Sequence, residues 1–217
     1  TDNMYHAGWA WAGSTPFRST KLVAAHFGGM RNPLVVSWPA RITPDSTPRS
    51  QFLHVVDVVP TLYDLLGITP PDVVNGHAQI GFDGESFART FVDAKAPPRT
   101  SPQFFDNNGS RGIWKDGWFA CAFGPFYPWN TPASIPRIAA WDSATDDWEL
   151  YDLSRDFSQA ENLAAKHPGK LAELKAEFLR VAADNKDFPI GAGNWLRLHP
   201  EDRASTPYRD RKSTRLN

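Results

Sequence analysis

The sequence predicts an α/β chain in two parts. An α/β segment spans residues 1–100, and a small antiparallel-sheet α+β domain spans residues 101–195. Three observations predict it. The apolar run Leu34-Val35-Val36-Ser37-Trp38 is followed by a helical pattern through Leu62 and Leu66, the strand-then-helix rhythm of α/β proteins. Short β-rich segments between Gln103 and Leu153 are separated by turn residues, as hairpins are. A helical pattern from Pro168 to Asn185 then offers a face to cover that sheet.

Taken in order, Thr1 to Thr47 reads as a loop followed by a strand. A continuous apolar run such as Leu34 to Trp38, closed by Pro39, suits a strand covered on both faces, as in a parallel sheet. In the helix that follows, Asp57 is the expected N-cap and Pro60 falls in the first turn, where its missing N–H costs little. Val59, Leu62 and Leu66 share one face, and Gly67 suits the position just past the last turn. Gln103 to Asp106 and Arg111 to Lys115 read as strands, and Asp116-Gly117 as a type I′ turn into Trp118 to Phe123. Pro125, Pro128, Pro132 and Pro136 mark a loop before the last strand, Trp148 to Leu153. In the final helix Leu171, Leu174, Phe178 and Val181 form a core stripe, opposite Lys170, Glu173, Lys175, Glu177 and Arg180. Periodicity is lost after Trp195, so residues 196–217 read as a tail.

Composition excludes several classes. The chain has 23 Lys+Arg against 24 Asp+Glu, a formal net charge of −1, which leaves no basic field for a nucleic acid or an acidic membrane surface. A lone cysteine, Cys121, rules out an intramolecular disulfide and a cysteine-based zinc cluster. No stretch approaches the roughly 18 apolar residues of a membrane span, and no apolar signal segment opens the chain. The first residue is Thr1, and the chain reads as a piece of a longer protein, which leaves its compartment open.

The densest chemistry lies before the first strand, in YHAGWAWAGSTPFRSTKLVAAHFGGMRNPLVVSWP. It holds His6, and then Arg18, Lys21, His26 and Arg31 within 14 residues, which suits an anion site or a solvated loop with extended side chains. This stretch resembles the TPFR, Lys, Gly-Gly and Pro-Leu-apolar-Trp-Pro segment of the type I sulfatases, especially the bacterial arylsulfatase branch. The resemblance continues in HVVDVVPTLYDLLGI, FDGESF, SRGIWKDGW and WELYDLSRDFSQAENLAAKHP, in the family's order, from about Tyr5 to Trp195.

The resemblance implies hydrolysis of sulfate esters, of small molecules or glycans, on an alkaline-phosphatase-like scaffold. It implies a formylglycine nucleophile made from Cys or Ser and a divalent cation, usually calcium. The family's sulfate-binding catalytic lysine matches Lys21, five positions ahead of His26 in KLVAAHFGG, where it would donate to the sulfate and leaving oxygens. Many sulfatases carry Glu in front of the glycines as well as His one place earlier, a pattern from which this stretch departs, and His26 is expected to pack or hydrogen-bond near the turn. Arg18 and His6 suit either the lining of the site entrance or a structural role, and the structural role is the one expected of each. Phe157 and Gln159 replace the family's frequent Pro and Glu, at positions that look structural.

The rest of the implied machinery is not in the sequence. No Cys/Ser-x-Pro-x-Arg motif occurs, the early paired aspartates are absent, and Cys121 sits in FACAFGPF, so it is expected to be a packing residue. Asp2-Asn3 resembles the family's metal-binding pair but is followed by Met4 where Gly is usual, and it is expected to be ordinary loop. No metal ligand is therefore assigned. The chain is expected to be the C-terminal part of a sulfatase, inactive alone. A phosphodiesterase or phosphonate hydrolase on the same scaffold would look similar here. A carbohydrate-binding module is a further alternative, suggested by nine Trp. Asp210 to Asn217, DRKSTRLN, reads as the translation of a sequencing-adapter string.

Overall fold

The computed structural model describes residues 5–43 and 45–199. The expectations for Asp2, Asn3 and the tail from residue 200 onward lie outside the described residues. Two short helices come first, α1 (Ala7–Ser14) and α2 (Phe27–Met30). A 3-10 turn (Val55–Asp57) leads into α3 (Val58–Leu66), followed by the ribbon β1 (Val73–Val74) and β2 (His77–Ala78). Then come β3 (Gln103–Asn107), β4 (Ser110–Lys115), β5 (Trp118–Ala122), α4 (Thr131–Ala139), β6 (Glu149–Asp152), α5 (Pro168–Asp184) and α6 (Trp195–Leu198).

The described residues divide into two compact units. One gathers residues up to Arg31 with 104–114 and 118 onward; the other gathers 32–103 with 115–117. The segment before residue 32, expected within the 1–100 part, thus packs with the C-terminal sheet.

That sheet has the order β3-β4-β5-β6. Two-residue turns require antiparallel neighbours, and at the β4–β5 turn Asp116 and Gly117 both adopt positive φ, 50° and 80°, as type I′ demands. β5 and β6 pair antiparallel with Ala120 opposite Leu150, Phe119 opposite Tyr151 and Cys121 opposite Glu149. Side chains alternate across a strand, so these pairs sort onto two faces. On one face Ile113, Ala120 and Leu150 meet Leu174, Phe178 and Ala182 of α5. Phe178 stacks on Phe104 at 4.8 Å and meets Trp148 edge-on at 5.4 Å. Burying each large side chain there stabilises by about 1.5–3 kcal/mol. On the other face Phe119 packs against Phe27 at 5.3 Å, so residues before Arg31 cover it. Cover on both faces explains why β5 is apolar without alternation.

The unit of residues 32–103 is held by a buried ion pair. Arg99 Nη1 lies 3.1 and 3.2 Å from the two Asp57 carboxylate oxygens. Those oxygens also accept the backbone N–H of His54, at 2.8 Å, and of Glu85, at 2.9 Å. Thr61 donates its hydroxyl to Asp57 O and accepts from Phe87 N, at 2.7 and 3.0 Å. These bonds explain physically why HVVDVVPT and FDGESF occur together: each supplies the other's polar partners.

Several expectations are corrected. Residues 34–38 form no strand; Leu34, Val35 and Val36 are exposed, because no described strand pairs with them. Asp57 does not cap α3 by its side chain, which is spent on His54, Glu85 and Arg99. The apolar face of α3 is uncovered, with Val59, Leu62 and Leu66 at 45%, 51% and 62% exposure. α1 forms where a loop was expected, capped by His6, whose Nδ1 accepts from Gly8 N at 3.1 Å. α4 forms inside the proline-rich loop: Asn130 caps it, Pro132 falls in its first turn, and only Pro136 lies within. α6 adds one turn where periodicity was lost.

Candidate active site

The turn that carries Lys21 is built by the glycines that follow it. Gly28 N donates to Arg18 O at 2.9 Å, and Val23 N to Thr20 O at 3.3 Å. A Cβ on Gly28 would lie 2.2 Å from Ser19 O and 2.3 Å from Arg18 O; on Gly29 it would lie 2.2 Å from Val23 O. Only glycine allows such backbone approach. Ser19 and Leu22, at φ 65° and 74°, flank the tip in the left-handed region. The loop is thus wound tightly onto Gly28-Gly29, with Lys21 exposed at its tip.

The stem of the turn is locked to the sheet by Glu149 of β6. Its Oε2 accepts from Arg18 Nη2 at 3.0 Å, from the Tyr151 hydroxyl at 2.7 Å, and bonds His26 Nε2 at 3.1 Å. Arg18 also donates to the Tyr151 oxygen, and His26 Nδ1 bonds Ser19 Oγ at 2.8 Å. Burial works against the Glu149 charge, but the His26 and Tyr151 hydrogen bonds and the Arg18 guanidinium outweigh it and hold the carboxyl at about 2. Burial, then the bond to Glu149, pushes the Tyr151 phenol well above its ordinary range.

A second clamp is Gln159. Its Oε1 accepts Phe27 N at 2.8 Å and its Nε2 donates to Ala25 O at 3.0 Å, so the buried amide both accepts and donates. An ionised Glu has no donor for Ala25 O, which gives the departure at Gln159 a structural reason. Arg31 lies over Phe17 at 4.9 Å and donates to Phe157 O at 3.3 Å.

The structure therefore separates the four clustered cations. Arg18, His26 and Arg31 are engaged, whereas Lys21 alone of the four makes no hydrogen bond or ion pair with any described residue. A neighbouring cleft of about 360 Å³ is lined by Leu22, Val23, Met30 and Phe104 and does not include Lys21. Cys121 is fully buried and burial raises its thiol pKa, so it is no nucleophile. Among the described residues no group of three or more His, Cys, Asp or Glu side chains is placed to hold a metal ion. No described helix is long and apolar enough to cross a membrane. Sequence reasoning missed Glu149 and Tyr151; the alternation of WELYD, with two polar residues facing Cys121's side, was their only signal.

No protein-family model matches the chain. An uncharacterized sulfatase of Schizosaccharomyces pombe is 31% identical over 187 residues, 83% of this chain and 30% of the relative. An N-acetylgalactosamine-6-O-sulfatase of Bacteroides thetaiotaomicron is 25% identical over 155 residues, 70% of this chain and 27% of the relative. Among solved structures, Ps i-CgsB in complex with k-i-k-neocarrahexaose matches with a TM-score of 0.59 at 20% identity, over 87% of this chain and 38% of that one. The chain spans less than a third of the length of these curated relatives.

Proposed function

The chain belongs to the sulfatase family, and we propose that it serves there as the part that grips the sulfate of a sulfate ester through Lys21. The nucleophile and the cation come from residues outside it. The observation that carries this reading is the free, exposed ammonium of Lys21 on a turn fixed by Gly28-Gly29 and by Glu149. An ammonium is a compact charge with three donors, suited to three sulfate oxygens and to the charge that grows on the leaving oxygen. A formylglycine and a divalent cation, calcium by family resemblance, would supply the attacking oxygen and polarise the sulfate when present. Cys121 and the described carboxylates provide neither.

The substrate class we favour is a sulfated sugar. Two relatives support it by name: one is an N-acetylgalactosamine-6-O-sulfatase, and the other was solved with a neocarrahexaose. The experiment is turnover of 4-nitrophenyl sulfate. This chain alone gives none. The enzyme encoded by the complete open reading frame gives turnover, and prefers the sulfate to bis(4-nitrophenyl) phosphate and to phenyl phosphonate esters. Turnover by the chain alone, or preference for the phosphorus esters, contradicts the reading.

A further inference from the structure

An aromatic stack leads away from the Lys21 turn. His26 lies 5.5 Å from Phe123, which contacts Tyr127 at 5.8 Å and Trp129 at 6.0 Å. Tyr127 and Trp129 stack on each other at 5.7 Å with their planes 27° apart. The loop that holds them is rigid for identifiable reasons. Tyr127 N donates to Ser134 Oγ at 2.8 Å, and Ser134 Oγ donates to Asn130 O at 3.0 Å. Arg137 donates to Pro125 O at 3.1 Å and to Gly124 O at 3.4 Å, with its guanidinium 4.3 Å from the Tyr127 ring centre.

The outer end of the stack is open. Trp129 is 48% exposed. Three polar groups of these residues, the Tyr127 hydroxyl, the Trp129 indole N–H and Arg137 Nη1, make no hydrogen bond with any described residue. A held aromatic face whose own rings carry hydrogen-bonding groups, with a guanidinium over the neighbouring Tyr127 ring, is complementary to one ligand chemistry in particular. A pyranose offers polarised C–H groups to the negative ring face, hydroxyls to the donors, and an anionic substituent to the guanidinium. Because the rings are already ordered, binding loses little conformational entropy.

We propose that the Phe123–Tyr127–Trp129 stack is a carbohydrate subsite that seats a pyranose ring on Trp129 and an anionic substituent at Arg137. That the sugar belongs to the substrate of a sulfatase rests on the reading above; the binding does not. The test titrates the full chain with chondroitin and κ-carrageenan hexasaccharides, each sulfated and chemically desulfated, by calorimetry. Desulfated oligosaccharide binds, the sulfated form binds more tightly, and Trp129→Ala weakens both about tenfold or more. Tyr127→Phe, which keeps the ring, weakens both by a few-fold. Circular dichroism stays unchanged, since Trp129 is half exposed. Lys21→Ala leaves the desulfated form unaffected. Wild-type affinity in Trp129→Ala, or no binding of any of the four, overturns the proposal. Trp129-dependent binding without sulfate-ester turnover by the complete enzyme would leave this subsite standing and remove the proposed function instead.

Discussion

A Cβ on Gly28 would meet two backbone oxygens at 2.2 and 2.3 Å, and neither oxygen belongs to a side chain that could swing away. The consequence falls on Lys21, seven positions earlier, because the 18–23 turn has no other way to relieve the clash than to move. Gly28→Ala should therefore cost about 2–4 kcal/mol of stability through strain. It should lower sulfate-ester turnover of the complete enzyme even at temperatures where the protein stays folded. Thermal melting beside turnover checks this, and a variant with unchanged melting and activity would contradict the winding of the loop on Gly28. The same residue scale shows why the winding of the turn was legible: Gly28 and Gly29 meet backbone oxygens of residues 18–23, a constraint enforced within ten or so residues, whereas the role of Lys21 is implied by the family resemblance. Glu149 was not legible, because its partners Arg18 and His26 lie more than a hundred positions away and no local pattern marks them.

At the scale of elements, β6 ties the turn to the sheet. Glu149→Gln removes the charge that balances Arg18 and accepts from Tyr151, and should cost about 2–3 kcal/mol. That is less than for a wholly buried pair, because the Arg18 side chain is 38% exposed. The folded carboxyl sits at about 2 against an ordinary 4.5. Its stabilisation is thus fully present above pH 4.5 and is lost as pH falls from there toward 2. Urea unfolding of wild type and Glu149→Gln should differ at neutral pH and converge as pH falls toward about 2; a difference that persists there would assign the effect to packing instead. The hairpin strands and α5 were readable from periodicity and from Asp116-Gly117, since their partners lie close along the chain. α4 was hidden because prolines at its first turn and interior read as breakers. Asn130 capping and Arg137 bonding to Gly124 and Pro125 offset that cost.

At the scale of the molecule, the unit of residues 32–103 leaves much apolar surface open. Val35 is 90% exposed, Ile80 95%, and the face of α3 with Val59, Leu62 and Leu66 is uncovered. A continuous apolar run followed by an amphipathic helix predicts the strand-then-helix rhythm of an α/β fold, yet no described strand pairs with the run. That pattern asks for two-sided burial that the described residues do not provide, and relatives more than three times as long as the matched stretch have the chain length to provide it. Under the proposed function, the chain's role turns on one cation, Lys21, held ready by a scaffold. The most direct measurement is kcat/KM for 4-nitrophenyl sulfate in the complete enzyme with Lys21→Ala beside wild type. A fall of about a hundredfold or more, carried by kcat, with melting unchanged and partial recovery in Lys21→Arg, is the predicted result. A Lys21→Ala enzyme with wild-type kcat/KM would contradict the account.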